Sequence, residues 1–93
     1  MNEQPDEEQI RLSSKIRHRA VGDEAVLVQL ATGRVLVVNE VGLHIVEQLR
    51  VSRTREQLWA SITEAFEVAP DQAAADLDTF LAALDAEQAL EQS

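Results

Sequence analysis

Apolar residues recur along this chain with two periods, and the switch between them falls at Asn39. Upstream the period is two. Leu12, Ser14, Ile16, His18 and Ala20 are mostly apolar or small, while Ser13, Lys15, Arg17, Arg19 and Val21 between them are mostly basic. That alternation predicts a half-buried strand over residues 12–21 with a basic outer face. Gly22-Asp23 supplies a turn. Residues 24–30 (EAVLVQL) predict a second strand with Val26, Val28 and Leu30 on one face. Ala31-Thr32-Gly33 closes a hairpin, because Gly33 takes φ > 0 at no steric cost. Arg34, Val35, Leu36, Val37 and Val38 then make a third strand. Three strands joined by tight turns form an antiparallel meander.

Downstream of Asn39 the period is helical. Asn39 suits an N-cap, where its side chain accepts from an unpaired backbone N–H. Val41, Ile45, Val46 and Leu49 fall on one face of a helix over residues 40–50. Gly42 weakens that helix by about 1 kcal/mol relative to Ala and leaves room for close packing against the sheet. Thr54-Arg55-Glu56-Gln57 is a capping box that opens a second helix, running to Phe66. Leu58, Ile62, Ala65 and Phe66 form its apolar face, with Trp59 at the edge. Pro70 and Asp71 open a third helix, where Pro suits the first turn and Asp the positive end of the dipole. Its stripe is Ala73, Leu77, Phe80, Leu81 and Leu84, with Leu90 as a last anchor. The order predicts an α+β fold, winged helix-turn-helix-like, with a three-stranded antiparallel sheet followed by three helices on one face. Residues 1–11 are expected to be a flexible acidic arm, residues 12–90 one domain, and residues 91–93 frayed.

Composition narrows the function. The chain has 93 residues, enough for one modest core, and is 45% hydrophobic, too apolar for disorder. No cysteine is present, which excludes a disulfide framework and thiolate chemistry. The N-terminal MNEQPDEEQ is the reverse of a signal peptide and no apolar run approaches a membrane span, so the cytoplasm is the expected address. Net charge is −9, with eight acids and no base from Glu64 onward. That half is a solvated helix face or a surface for a basic peptide. It is a poor partner for nucleic acid, whose binding rests on cationic neutralisation. Arg53, Arg55 and Gln57 would be the material of a recognition helix, and the third helix is acidic.

Catalytic constellations are missing. His44 stands one helical turn from Glu40 and Glu47, the spacing of a surface ion pair or a fragment of a metal site. His18 lies in a strand. Ser13, Ser14, Ser52, Ser61 and Ser93 have no glycine-flanked elbow. Asp76, Asp78 and Asp85 share one helix without a base or cleft partner, and no glycine-rich loop cradles phosphate. The pattern points to a binding module without cofactor or metal rather than to an enzyme.

Val38-Asn39-Glu40-Val41-Gly42, followed by Ile45, Val46 and Leu49, is one recognisable run. The Thr54-initiated helix to Phe66 is another. A third is the D-aliphatic-x-x-F-L-x-x-L core of Asp76, Leu77, Phe80, Leu81 and Leu84. In order and spacing, over about residues 14–90, these resemble the PqqD-like family, small peptide-recognition domains of ribosomal peptide modification pathways. Two departures stand out. Gln88-Ala89-Leu90 occupies the region where the family often carries Gly-Leu or Gly-Ile, and the third strand lacks the aromatics of many relatives. The resemblance implies that the leader segment of a precursor peptide adds as a strand along the third strand, in the groove beside the third helix. The site would comprise Arg34, Val35, Leu36, Val37 and Val38 with Ala73, Asp76, Leu77 and Phe80, Asp76 pairing with a basic leader residue. The partner would be a modifying enzyme, either a radical SAM enzyme or a leader peptidase, and the protein a monomer or weak homodimer. The residues agree in part: the last strand of the meander offers an edge, and Arg34 is its only charge. Equally, the valines can simply fill the core. Two other readings stand beside this one, a winged-helix DNA-binding regulator and a small structural subunit that dimerises through the same edge.

Overall fold

The computed structural model describes residues 8–92. In chain order the elements are β1 (Gln9–Leu12), β2 (Ile16–Val21), β3 (Glu24–Gln29), β4 (Arg34–Val38), α1 (Glu40–Gln48), β5 (Arg53–Thr54), α2 (Arg55–Ala65), α3 (Pro70–Ala86) and β6 (Leu90–Gln92). The expected meander is present: β2, β3 and β4 form an antiparallel sheet in that order. Gly22 (φ 64°) and Gly33 (φ 76°) make its two turns, a backbone conformation that a Cβ disfavours. Period-two alternation decides the faces. Ile16, Ala25, Leu27, Gln29 and Val38 are buried on the inner face, whereas Val21, Val35 and Val37 stand outward. Val26 and Val28 are also on the outer face, and Leu30 is exposed. The core side of β3 is therefore Ala25-Leu27-Gln29.

The helices start where local chemistry directs. Asn39 Oδ1 accepts from Gly42 N at 2.9 Å, and Thr54 and Gln57 exchange both capping-box bonds, at 3.1 and 2.9 Å. Pro70 occupies the first turn of α3. Ile45, Val46 and Leu49 of the α1 region meet Leu58 and Ile62 of α2 and Ala73, Leu77 and Leu84 of α3 over Leu27, all fully or nearly fully buried. Ala65, expected on the apolar face of α2, is exposed instead, and Phe66 is half-buried. Trp59 Nε1 donates to Pro70 O at 3.0 Å, and a two-pronged Arg55–Asp78 pair at 2.6 and 2.9 Å joins α2 to α3. Arg55 holds the Asp78 carboxyl below its ordinary pKa range, mainly through that hydrogen bond.

One part of the expected layout changes. The strand anticipated over residues 12–21 is two strands, split at Ser13. The Ser13 hydroxyl accepts from Lys15 N at 3.0 Å and its carbonyl from Ile16 N at 3.1 Å, so the side chain competes with the ladder and turns the chain. Upstream, β1 sits between β5 and β6 in a second antiparallel sheet, pairing Ile10 with Arg53 on one side and Gln92 on the other. Residues 9–11, expected in the arm, thus belong to the folded unit, with Ile10 in the core. Leu90–Gln92 pairs instead of fraying. Residues 1–7 and Ser93 lie outside the described residues.

Gln29 of β3 reaches the turn between α3 and β6. Its buried side-chain amide donates to Glu87 O at 3.0 Å and Gln88 O at 2.9 Å, while Oε1 accepts from Ala31 N at 3.0 Å. Gln88 itself takes φ 57°, the left-handed conformation that ends helices and favours glycine. If β1 is structural, Ile10→Ala should lower unfolding free energy in urea by about 2–4 kcal/mol. A loss below about 0.5 kcal/mol, the level of a surface change, would place β1 outside the cooperative core.

Candidate peptide-binding edge

Hydrogen-bond alternation shows which backbone groups β4 leaves open. Leu30 N donates to Lys15 O at 2.8 Å, continuing the β2 side of β3. In an antiparallel ladder each residue turns both its N–H and C=O to one side, and neighbours alternate. Val26 and Val28 therefore serve β2, while Ala25, Leu27 and Gln29 serve β4, where they face Val38, Leu36 and Arg34. Val35 and Val37 are left with their N–H and C=O groups aimed away from the sheet. No strand among the described residues pairs with that side. The question of core or edge resolves residue by residue: Leu36 and Val38 turn inward, whereas Val35 and Val37 are 59% and 65% exposed.

Two contacts hold α3 beside this edge. At the Asn39 end, Gly42 brings α1 so close that an added Cβ would lie 2.8 Å from Val38 Cβ and 2.9 Å from Phe80 Cε1. At the other end Arg34 Nε and Nη2 donate to the two carboxylate oxygens of Glu87 at 2.8 and 2.9 Å, which raises the Arg34 pKa above its ordinary value. As β4 runs from Arg34 to Val38, α3 thus runs past it from Glu87 back to Phe80. The lengths match: about 13 Å for four strand steps and about 10 Å for seven helical ones. A cleft of about 360 Å³ opens at the Asn39 end, with Val41, Ile45, Phe80 and Ala83 as apolar walls and Asp76 and Thr79 at the rim. Gln72 Nε2 donates to Asp76 Oδ1 at 2.8 Å, orienting that carboxylate.

Of the residues anticipated for the site, Arg34, Val35 and Val37 are exposed at the edge, and Asp76 and Phe80 line the cleft. Ala73 and Leu77 do not line it. Both are fully buried, because they lie on the core stripe with Leu84. The cleft-lining positions Asp76, Phe80 and Ala83 repeat at i, i+4 and i+7, rotated by one residue from that stripe. Thr79 and Ala83, which also line the cleft, were not anticipated because the spacing pointed to the core stripe.

A model of the family described as coenzyme PQQ synthesis protein D (PqqD) matches residues 24–90. This chain belongs to the PqqD family. No curated protein matches it. A solved structure, "TbiB1 in Complex with the TbiA(beta) Leader Peptide", is similar with a TM-score of 0.79 and 28% identity, over 87% of this chain and 94% of that one. The likeness extends to the α+β arrangement of sheet and three helices. Within the PqqD family frame, the Gly-Leu or Gly-Ile departure coincides with the C-terminal end of α3, where Gln88 adopts its positive φ.

Histidine chemistry lies elsewhere. His44 Nε2 shares a hydrogen bond with Ser61 Oγ at 2.5 Å, and its ring packs edge-on against Phe66 at 5.4 Å. The residue ties α1 to α2, in place of the surface pairing with Glu40 and Glu47 that its spacing suggested. Among the described residues no cluster of His, Asp and Glu is placed to hold a metal ion, and no helix is long and apolar enough to cross a membrane.

The Gly42 contact yields a test. Gly42→Ala gains about 1 kcal/mol of helix propensity, yet its methyl group meets Val38 Cβ, which is anchored to backbone and cannot swing aside. Net destabilisation of about 1–3 kcal/mol in urea is expected from overpacking, with the Phe80 ring resonances shifted. A variant more stable than the parent would show that the close approach is dispensable.

Proposed function

We propose that this protein binds the leader segment of a ribosomally synthesised precursor peptide by strand addition at β4 and presents it to a modifying enzyme. The observation that carries this is the open row of Val35 and Val37 backbone groups, with an apolar cleft between α1 and α3 at the Asn39 end of the strand. The similar TbiB1 structure is a complex with a leader peptide, which supports the same use here. Magnitudes divide the work. Each edge hydrogen bond contributes about 0.5–1.5 kcal/mol net, so the two N–H and two C=O groups give about 2–6 kcal/mol. Association itself costs about 4–15 kcal/mol. Backbone pairing thus sets direction and register but leaves affinity to side chains. An aliphatic or aromatic leader residue buried between Val41, Ile45 and Phe80 would add about 1.5–3 kcal/mol. Asp76 at the rim suits a basic residue of the leader.

In this reading the protein is non-catalytic, acts in the cytoplasm where the precursor is made, and works as a monomer or weak homodimer. Its partner is a radical SAM enzyme or a leader peptidase.

Titrating labelled protein with the leader of the precursor encoded nearby should shift amides of β4 and the cleft face of α3 and leave α2 unmoved. Val37→Pro removes one outward N–H while sparing the β3–β4 ladder, so leader affinity should fall about tenfold, some 1.4 kcal/mol, with little change in Tm. Wild-type affinity in that variant would rule out strand addition along β4. Binding should also depend weakly on salt; a steep decline would indicate nucleic acid instead.

A further inference from the structure

The outer face of the β2-β3-β4 sheet takes no part in the cleft. Register stacks Arg17, Val28 and Val35 in one row and Arg19, Val26 and Val37 in the next. Antiparallel sheets that turn a face to water usually make it polar. Here the rows are valine except at the β2 margin, and Val21 beside them is 57% exposed. A depression of about 300 Å³ opens between the two arginines and Val26 and Val28. Among the described residues the ion pairs are Arg34–Glu87 and Arg55–Asp78, so neither Arg17 nor Arg19 has a carboxylate partner. Arg17 donates to Ser14 O instead, at 3.2 Å. In a chain of net charge −9 this is a local cationic and apolar face. Contiguous exposed apolar surface of this kind marks an interaction site.

We propose that this face docks the modifying enzyme, on a surface of it that is apolar and rimmed with carboxylates. The inference rests on the leader-binding reading and deepens it. Charge selects the occupant: a second copy docking through the same face would set Arg17 and Arg19 against their own counterparts, whereas an acid-rimmed partner satisfies both arginines. Geometry lets both ligands bind at once. β4 turns its backbone groups to the leader in the sheet plane and the side chains of Val35 and Val37 to the enzyme, perpendicular to it.

The test uses the full chain with the leader and the modifying enzyme encoded beside it, titrated separately by calorimetry. Arg17→Glu with Arg19→Glu changes two exposed side chains, and Val26→Thr with Val28→Thr keeps shape and strand propensity. Each double variant should retain leader affinity within about twofold and lose at least about tenfold in enzyme affinity. Enzyme affinity unchanged in both variants, with leader binding intact, would overturn the proposal and leave the leader reading standing. So would a wild-type dimer in sedimentation velocity that Arg17→Glu with Arg19→Glu converts to monomer, because a second copy would then occupy the face. Absence of leader binding by the wild type would remove the basis of both readings.

Discussion

The molecule depends on a contact that only glycine allows. At Gly42 the backbone of α1 comes within side-chain distance of Val38, the last residue of β4, and of Phe80 in the middle of α3. The side chains of Val38 and Phe80 meet there with no side chain of α1 between them, and the meeting sets how far α3 stands from the edge of the sheet. The Arg34–Glu87 pair makes the second point of attachment. Being mostly exposed on the arginine side, it positions more than it stabilises. Gln29 does the heavier structural work at that end, because its buried amide satisfies two carbonyls in the turn that follows α3. The first of these fixings is also part of the cleft, because Gly42 and Phe80 both line it.

Much of this was legible in short stretches of sequence, for a physical reason. Asn39, the Thr54–Gln57 box, Pro70 and the turn glycines act on backbone groups within three residues of themselves. Their meaning therefore survives without tertiary knowledge. Strand β4 was equally plain, a bare aliphatic run between a glycine turn and a cap. The second sheet was not. Its strands pair residues up to about eighty positions apart, as Ile10 does with Gln92, and each carries too few apolar residues to show a period. Ser13 looked like one more polar position in an alternating strand, although its hydroxyl ends that strand.

The candidate cleft was legible to within one helical rotation. Along α3 the spacing identified an apolar stripe, but spacing alone does not say which border of a stripe faces a neighbouring strand. Ala73 and Leu77 went to the core, and their neighbours Asp76, Phe80 and Ala83 went to the cleft. The same ambiguity affected β3, where Val26 and Val28 form the more continuous apolar set yet face outward. Core volume explains this: Leu27 fills the space beneath three helices, and Gln29 has the reach to cap α3. Where a polar residue is buried for its hydrogen bonds and valines are left at the surface, hydrophobicity stops being a guide to inside and outside.

The pairing of β1 with β6 has a consequence for how such a domain travels. Residues 10 and 92 sit opposite each other on neighbouring strands, about 5 Å apart by the usual strand spacing. The first and last described strands of the fold thus lie side by side. A unit built this way can be spliced into a surface loop of a larger protein, or have its ends joined and be reopened elsewhere, with little conformational entropy lost in closing the gap. The stitch that holds the two ends together also makes the domain portable.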